Sequence, residues 1–497
     1  MERGGEERES DRTVTTSDNE RVQGTLPTTG PTKRPSISGL AQIGNIYRRG
    51  PASLANLSLY AFGVSGLWTA LGTPLLPIKV NEILGNGGSS VLGVVFDAND
   101  KNGALGIVSL VGLAVAALAQ PIAGTLSDRH KGVTKRLPYM LVGSAGMAAS
   151  VLFLGFAGTL LSLIILNVLI QGFGNFGQGA ANGLIADHVS PGKKGSAAGA
   201  LNLSRVAGAG ILTGLIFIFM ARYDQETAPG WMTASLVLLA VAAIVATLWT
   251  VTSLWRSTAV PGSGAEPENI QPVLTDIDPA RTDIGNSAMP RGMYFRFLIA
   301  LTMVITGFSA LQLYSFFYLE DVIGLDNAAQ GGIVILLSTA IATALTVLPA
   351  GRMTDKLGRD PMLVFAGIAG VLASVMLMFA SSVLMVTLVG LLVGMVIGIF
   401  LTVSWALAND LVSRQHAARD LGYASIAVLI GSVTSRISGI GVDRLNDVRD
   451  ALGYQAVLGA VALCFIVTVI LMTRLNGTSH PVTDALKDHA VGPDATS

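Results

Sequence analysis

The chain has 497 residues and a mean hydropathy of +0.59, and only 13% of its residues are charged, about half the share found in soluble domains. In water such a chain would expose large apolar patches, so the composition predicts an integral membrane protein. A formal net charge of zero argues against a nucleic-acid-binding protein, which needs a basic face. The single cysteine, Cys464, excludes an intrachain disulfide framework.

The first 53 residues are polar and charged, with almost no large apolar side chains. A segment of this kind cannot bury enough apolar surface to fold, so residues 1–53 are predicted to form a disordered tail. The segment has no apolar stretch of the kind found in signal peptides, so we do not expect it to be cleaved as one.

Twelve apolar runs follow this tail, each near the length of about 20 residues that spans a bilayer. Hydrocarbon cannot satisfy a free backbone amide, so each run is predicted to be helical. The runs lie at 54–80, 104–126, 137–157, 159–187, 196–221, 232–255, 294–319, 328–351, 360–380, 382–409, 420–442 and 452–474.

A stretch rich in Pro, Gly, Asp and Glu divides the runs six and six. The predicted organisation is therefore a bundle at 54–256, a linker at 257–292, a second bundle at 293–475 and a tail at 476–497. Lys and Arg residues are more frequent in the loops on one side of the membrane than in those on the other, and the enriched side carries both termini and the linker. This bias predicts a plasma (inner) membrane protein with cytoplasmic termini. Lys79, Lys101, Arg222, Arg444 and Arg449 are the basic residues assigned to the outer loops.

Two landmarks repeat between the halves. Gly124–Pro138 and Gly351–Pro361 carry similar loop sequences, and the spacing from Asp128 to Asp355 nearly equals that from Asp187 to Asp410. Matching offsets at two independent places indicate a duplicated six-helix half.

The loop patterns Gly124-x-x-x-Asp128-Arg129 and Gly351-Arg352-x-x-Asp355-Lys356-x-Gly358-Arg359 resemble the loop motif of the major facilitator superfamily. The first loop also resembles that of glycoside–pentoside–hexuronide and sucrose-type symporters, which have a longer insert and a basic pair before Pro. The resemblance implies an all-α membrane protein with twelve transmembrane helices in two pseudo-symmetric six-helix bundles, the major facilitator fold.

The two motif aspartates are predicted to belong to a cytoplasmic gate. A carboxylate at this position can pair with a basic neighbour and face the positive N-terminal end of a helix of the other half. The resemblance implies the eleventh helix as the partner of Asp128 and the fifth as that of Asp355. The alternative is that these loop charges only set topology. The predicted gate residues are Asp128, Arg129, Arg136, Asp355 and Arg359.

The fourth run carries five amide side chains on one helical stripe: Asn167, Gln171, Asn175, Gln178 and Asn182. Polar residues at membrane depth are functional candidates, so the stripe is predicted to face a solute path. Hydrogen bonding between helices is the alternative for any single amide.

Further predicted solute ligands are Arg205 in the fifth run, Gln312 in the seventh and Trp405 in the tenth. A buried guanidinium needs acceptors, so Arg205 suits a carboxylate or hydroxyl groups of a solute. The resembled sugar symporters use a basic residue at about this place. Arg436, the other deep charge, is expected to pair with Asp443 or to reach the interface.

The predicted function is alternating-access transport of a small polar solute, with a sugar or glycoside as the expected class and multidrug or metabolite efflux as the alternative. A third hypothesis is a receptor or scaffold that has lost transport. An enzyme is disfavoured because the sequence contains no phosphate loop, metal-spaced His/Cys cluster or nucleophile elbow. No cofactor is expected. Coupling to a proton or sodium ion is left open, since the first run has no carboxylate and Asp187, His188, Asp410 and Glu320 lie near run ends.

Overall fold

The computed structural model describes residues 54–130, 134–189, 194–258, 291–411 and 417–473. The predicted tails and nearly all of the predicted linker lie outside these ranges. The side chains of Asp355, Trp405 and Asp410 also lie outside the description, although their backbone is helical. The predictions made for these segments and side chains therefore stay predictions.

Twelve helices of the described ranges are long and apolar enough to span a membrane, as the hydropathy pattern predicts. We refer to them as the first to the twelfth span. The first span is Leu54–Ala70 with its continuations Leu71–Leu75 and Leu76–Gly85, followed by Lys101–Arg129, Leu137–Phe153, Leu160–Ala181, Lys194–Met220, Gly230–Thr258, Arg291–Asp321, Ala328–Leu357, Arg359–Met378, Val383–Leu411, Ala417–Val448 and Leu452–Thr473.

Within each set of six spans the same helices pack together. The first span packs on the fifth and sixth, and the seventh packs likewise on the eleventh and twelfth. The fourth packs on the second and third, as the tenth does on the eighth and ninth. The repeated pairing confirms the all-α fold with two related six-helix bundles.

Small residues bring the helices into close contact, as expected where lipid offers no hydrophobic drive for association. A Cβ atom added to Gly143 in the third span would collide with the backbone of Gly177 in the fourth. In the second half, a Cβ on Gly394 would collide with the carbonyl of Thr339 in the eighth span. Large apolar side chains such as Leu345 and Trp249 remain exposed, which suits lipid contact.

The first span contains a five-residue π-helical turn at Leu71–Leu75 that includes Pro74. Proline lacks an N–H and clashes with the carbonyl four residues earlier, and the wider turn accommodates it. The span continues to Gly85, five residues beyond the predicted run. Lys79 was assigned to an outer loop, and this was wrong: its side chain is only 2% exposed within the helix, and its Nζ lies 3.0 Å from Glu82.

Two local elements were not predicted. The strands β1 (Ser89–Val91) and β2 (Val94–Phe96) form an antiparallel hairpin after the first span. The fourth span ends at Ala181, earlier than the predicted run, and the chain resumes as a short helix at Leu184–His188.

The two faces of the bundle can be told apart by which spans begin or end there. The face where the first span begins and the twelfth ends is called the terminal face, and the other is called the opposite face. Asp128 and Asp187 lie at the terminal face, whereas the hairpin, Lys101 and Asp321 lie at the opposite face.

Candidate functional site

A cavity of about 230 Å³ lies where the two halves meet, and we call it the polar cavity. The first, second and fourth spans line it from one half, and the seventh and eleventh from the other. Its lining residues are Trp68, Leu71, Gly72, Leu76, Ser109, Leu113, Asn167, Gln171, Ser309, Gln312, Leu313 and Arg436. A site built from both halves is where an alternating-access protein holds its solute.

The amide stripe reaches this cavity through two of its members. Asn167 and Gln171 line it, and the Nδ2 of Asn167 also donates to the Val108 carbonyl of the second span at 2.8 Å. Asn175 donates to Gln171, and Gln178 donates to Asn182, so these members bond along their own helix. Asn175, Gln178 and Asn182 line neither of the two cavities described here, and their role as solute ligands stays a prediction.

Arg436 supplies the positive charge of the polar cavity. Its Nη1 donates to the Ser432 carbonyl of its own helix at 2.7 Å, and it forms no ion pair among the described residues. The expectation that it pairs with Asp443 was wrong, because Asp443 accepts hydrogen bonds from Asn102 and Gly103 instead. The sequence showed Arg436 as a deep charge but not the direction of its side chain.

Arg205 occupies a different position. It is half-buried on the fifth span and lines neither of the two cavities. The structure shows no hydrogen bond or ion pair for it within the described part of the chain. Its assignment as a solute ligand stays a prediction.

A second, larger cavity of about 450 Å³ lies mainly within the second half, and we call it the apolar cavity. Gln312 lines both cavities, so the two adjoin at the seventh span. Thr69 and Thr73 of the first span and Phe217 of the fifth complete the wall from the other half. Most of the lining is aliphatic or aromatic, including Phe308, Leu311, Tyr314, Phe316, Tyr318, Ile335, Leu336, Val386, Val389, Val393, Ile397, Tyr454 and Leu458.

At the terminal face, Arg136 joins two carboxylates of the first half. Its Nη2 lies 2.8 Å from Asp128, and its Nε lies 2.6 Å from Asp187. Nη1 also donates to the hydroxyl of Ser127 at 3.0 Å. Gly183 leaves the room for this arrangement, because a Cβ there would collide with the guanidinium.

The ion pairs shift the protonation equilibria of the cluster. The hydrogen bond to Asp187 raises the pKa of the Arg136 guanidinium despite its burial. Partial burial would raise the pKa of the Asp187 carboxyl, but the hydrogen bond and charge of Arg136 outweigh it and hold that pKa below its ordinary value. Arg136 and Asp187 therefore stay charged at neutral pH.

The predicted gate is only partly described. Asp128 is 61% exposed and pairs within its own half, and Arg129 is exposed. Arg359 begins the ninth span and is half-buried. The side chains of residues 417–422, where the resemblance places the partner of Asp128, are outside the described set, so the gate stays a prediction.

The opposite face is closed. Several hydrogen bonds join the two halves at this face. These bonds join Lys101 to Asp321, Asn81 to Glu320, Asn102 to Asp443 and Tyr454, Gly103 to Asp443, and Asn327 to the Ala221 carbonyl.

Comparisons with known proteins agree with this architecture. The family model described as Major Facilitator Superfamily matches residues 54–436 and 332–487. The multidrug resistance protein MdtG of Enterobacter lignolyticus is 26% identical over 87% of this chain and 96% of its own length. The multi-drug resistance efflux pump PmrA of Streptococcus pneumoniae serotype 4 is 26% identical over 82% of this chain and 93% of its own.

Solved structures show the same fold. An inward-facing, unoccupied bacterial homolog of the human lysosomal transporter Spinster covers 84% of this chain and 94% of its own, with a TM-score of 0.57 and 15% identity. The nucleoside transporter NupG covers 86% and 98%, with a TM-score of 0.56 and 12% identity. The sequence relatives carry multidrug names, so they do not support the finer resemblance to glycoside and sucrose symporters.

Proposed function

This chain belongs to the Major Facilitator Superfamily, whose members are transporters rather than enzymes, and we propose that it carries a small amphipathic organic molecule by alternating access. The observation that carries this proposal is the pair of adjoining cavities that share Gln312. A solute with a polar group and an apolar body would place the first in the polar cavity and the second in the apolar cavity. The apolar cavity is within the size range of small-molecule sites in proteins.

The apolar cavity separates this proposal from that of a sugar permease. Burial of apolar surface contributes about 25 cal/mol per Å², so an aliphatic and aromatic chamber favours ligands with extensive apolar surface. A sugar has no extensive apolar surface that could fill the apolar cavity. The multidrug names of MdtG and PmrA support a drug-like solute over a sugar, and the efflux named for PmrA suggests export as the direction of transport.

Alternating access accounts for the asymmetry of the two faces. The opposite face is held by hydrogen bonds between the halves, whereas the terminal-face carboxylate of Asp128 is exposed. In our proposal the terminal face is cytoplasmic and open in this state, and the cluster of Asp128, Arg136 and Asp187 helps to form a gate when that face closes. Asp355 and Arg359 would act at the matching position of the second half.

A coupling cation would bind outside the two cavities, because no carboxylate among the described residues lines either of them. Asp443 is a buried carboxylate between the halves, and Asp187 is a partly buried one near the terminal face. In our proposal, coupling to a proton or a sodium ion would therefore use one of these two carboxylates.

A sugar or glycoside is the second candidate. Gln171, Gln312 and Ser309 offer amide and hydroxyl groups to the polar cavity, and Trp68 provides an aromatic face there. Such groups suit a polar ring, which would fill the polar cavity alone.

The test is transport by the full-length protein reconstituted in liposomes, with and without an imposed pH gradient. The panel should contain amphipathic dyes and drugs, sugars and nucleosides. We expect counterflow of amphipathic compounds that depends on the protein. Transport of sugars with no movement of amphipathic compounds would refute the proposal in favour of the second candidate.

A further inference from the structure

Three buried polar atoms without a hydrogen-bond partner belong to residues that line the polar cavity. They are the indole Nε1 of Trp68, the amide Oδ1 of Asn167 and the Nε of Arg436. Buried polar groups in folded proteins almost always have partners, so three exceptions around one cavity require an explanation. Two of these atoms are donors and one is an acceptor.

Local contacts in the described part of the chain satisfy none of these three atoms. The Nδ2 of Asn167 donates to the Val108 carbonyl, which fixes the amide orientation and leaves Oδ1 as the acceptor. Arg436 uses Nη1 for the Ser432 carbonyl and keeps Nε. Asn167 itself is only 1% exposed, so its position is set by packing.

The charge of Arg436 is not compensated by any residue that the structure describes. Among the described residues it makes no ion pair, and the buried carboxylate of its own helix, Asp443, already accepts from Asn102 and Gly103. A guanidinium at membrane depth is costly unless it is paired, hydrated or used. The guanidinium would therefore attract an anionic solute and repel a cationic one.

We propose that the transported solute is an amphipathic organic acid whose carboxylate binds the guanidinium of Arg436. A hydroxyl or amide donor next to the carboxylate would bond to Oδ1 of Asn167. The apolar body of the acid would extend past Gln312 into the apolar cavity. This inference rests on the proposed transport of amphipathic molecules and specifies their charge.

The three residues come from both halves of the protein, so such an acid would contact both halves at once. Trp68 and Asn167 belong to the first half, whereas Arg436 belongs to the second. A solute held between Asn167 and Arg436 joins the halves, and its bond to Arg436 is charge-assisted and therefore stronger than a neutral one.

The test uses a matched pair of probes, 1-naphthylacetate and its neutral amide 1-naphthylacetamide. Binding to the purified full-length protein in nanodiscs is measured by calorimetry for the parent, Arg436→Gln, Arg436→Lys and Trp68→Phe. Arg449→Gln is the control, since Arg449 is exposed at the opposite face and lines neither cavity. Thermal melting of each variant reports whether it folds.

We expect the parent to prefer the acid to the amide by about tenfold or more, the difference that one charge-assisted contact provides. Arg436→Gln should abolish the preference while affinity for the amide changes little, and Arg436→Lys should retain part of it. Trp68→Phe, which keeps an aromatic ring beside the cavity and leaves Arg436 in place, should retain the preference. Arg449→Gln should behave as the parent.

Equal affinity of the parent for both probes, or an unchanged preference in a folded Arg436→Gln, would overturn the inference. The inference would also be overturned if the acid did not bind. The same holds if sulfate inhibited binding of the acid as strongly as other organic acids do. If the liposome assay shows transport of neutral amphipathic dyes, the proposed function survives such a result. If only sugars are transported, the proposed function itself fails.

Discussion

Asp443 on the eleventh span lies against the first turn of the second span, where its carboxylate accepts the backbone N–H groups of Asn102 and Gly103. These amides belong to the start of a helix, where N–H groups lack intrahelical partners and the helix dipole is positive. A carboxylate of one half therefore caps a helix of the other. The contact must break for the opposite face to open, so Asp443 stabilises the closed state of that face.

Replacing Asp443 should shift the protein toward states with an open opposite face. Asp443→Asn keeps the shape of the side chain but removes the charge, and hydrogen bonds to charged groups contribute about 1.5–3 kcal/mol. Spin labels at Leu92→Cys and Val448→Cys in a Cys464→Ser background report the separation of the halves, because these sites are 99% and 77% exposed at that face.

Distance distributions of the Asp443→Asn variant should gain a longer component. Asp447→Asn is the matched control, because Asp447 is exposed one turn further along the same helix. Identical distributions for the parent and Asp443→Asn would show that the cap does not hold this face closed.

A Cβ atom at Gly183 should disrupt the Arg136 cluster. Gly183→Ala would place the new methyl group against the guanidinium, and overpacking of this kind typically costs about 1–3 kcal/mol. Gly199→Ala is the control, since a Cβ there meets no atom within 4 Å. Thermal melting in detergent should show a lower melting temperature for Gly183→Ala only, and equal melting of both variants would contradict the contact.

The ion pair of Asp187 should make stability depend on pH at the acid end. A carboxyl whose pKa is lowered by folding stabilises the protein above its unfolded pKa, and this contribution disappears as the pH falls through the folded value. Pairing with Arg136 lowers the pKa of Asp187 in the folded protein from its ordinary value of 3.8. Asp187→Asn should therefore melt below the parent at neutral pH, and the gap should close as the pH falls below 3.8. A gap that stays constant into this range would exclude the ion pair as its cause.

Neutralising Asp128 should impair transport more than folding. The side chain is 61% exposed, so its ion pair with Arg136 adds little stability, whereas a gate that uses its charge would lose function. We expect Asp128→Asn to reconstitute at the parent level and to transport several-fold more slowly. Glu226→Gln, on an exposed loop, is the control. Parent-level turnover of Asp128→Asn would leave this carboxylate with a topological role only.

Filling the apolar cavity should reduce binding of amphipathic solutes. Val393→Trp on the tenth span would occupy part of the chamber, and a loss of about 1.4 kcal/mol of apolar contact corresponds to a tenfold weaker affinity. Val334→Trp is the matched control, because Val334 is 47% exposed and outside the cavity lining. Calorimetry with an amphipathic dye should separate the two variants, and unchanged affinity in a folded Val393→Trp would place the solute elsewhere.

The sequence by itself determined the spans and their grouping. A bilayer requires each spanning segment to be apolar and to satisfy its own backbone, so the number and order of the helices can be read from hydropathy alone. The same argument identified Asn167, Gln171 and Gln312 as amides at membrane depth, and the structure places all three on the polar cavity.

Only the tertiary structure decided where the two deep arginines point. Arg436 lines the polar cavity and Arg205 does not, although hydropathy treats them alike. The difference depends on which neighbouring helix covers each face, and a single-helix pattern does not contain that information. The same holds for Lys79, which is buried because its helix continues past Pro74, and for Asp443, whose partners come from the other half of the chain.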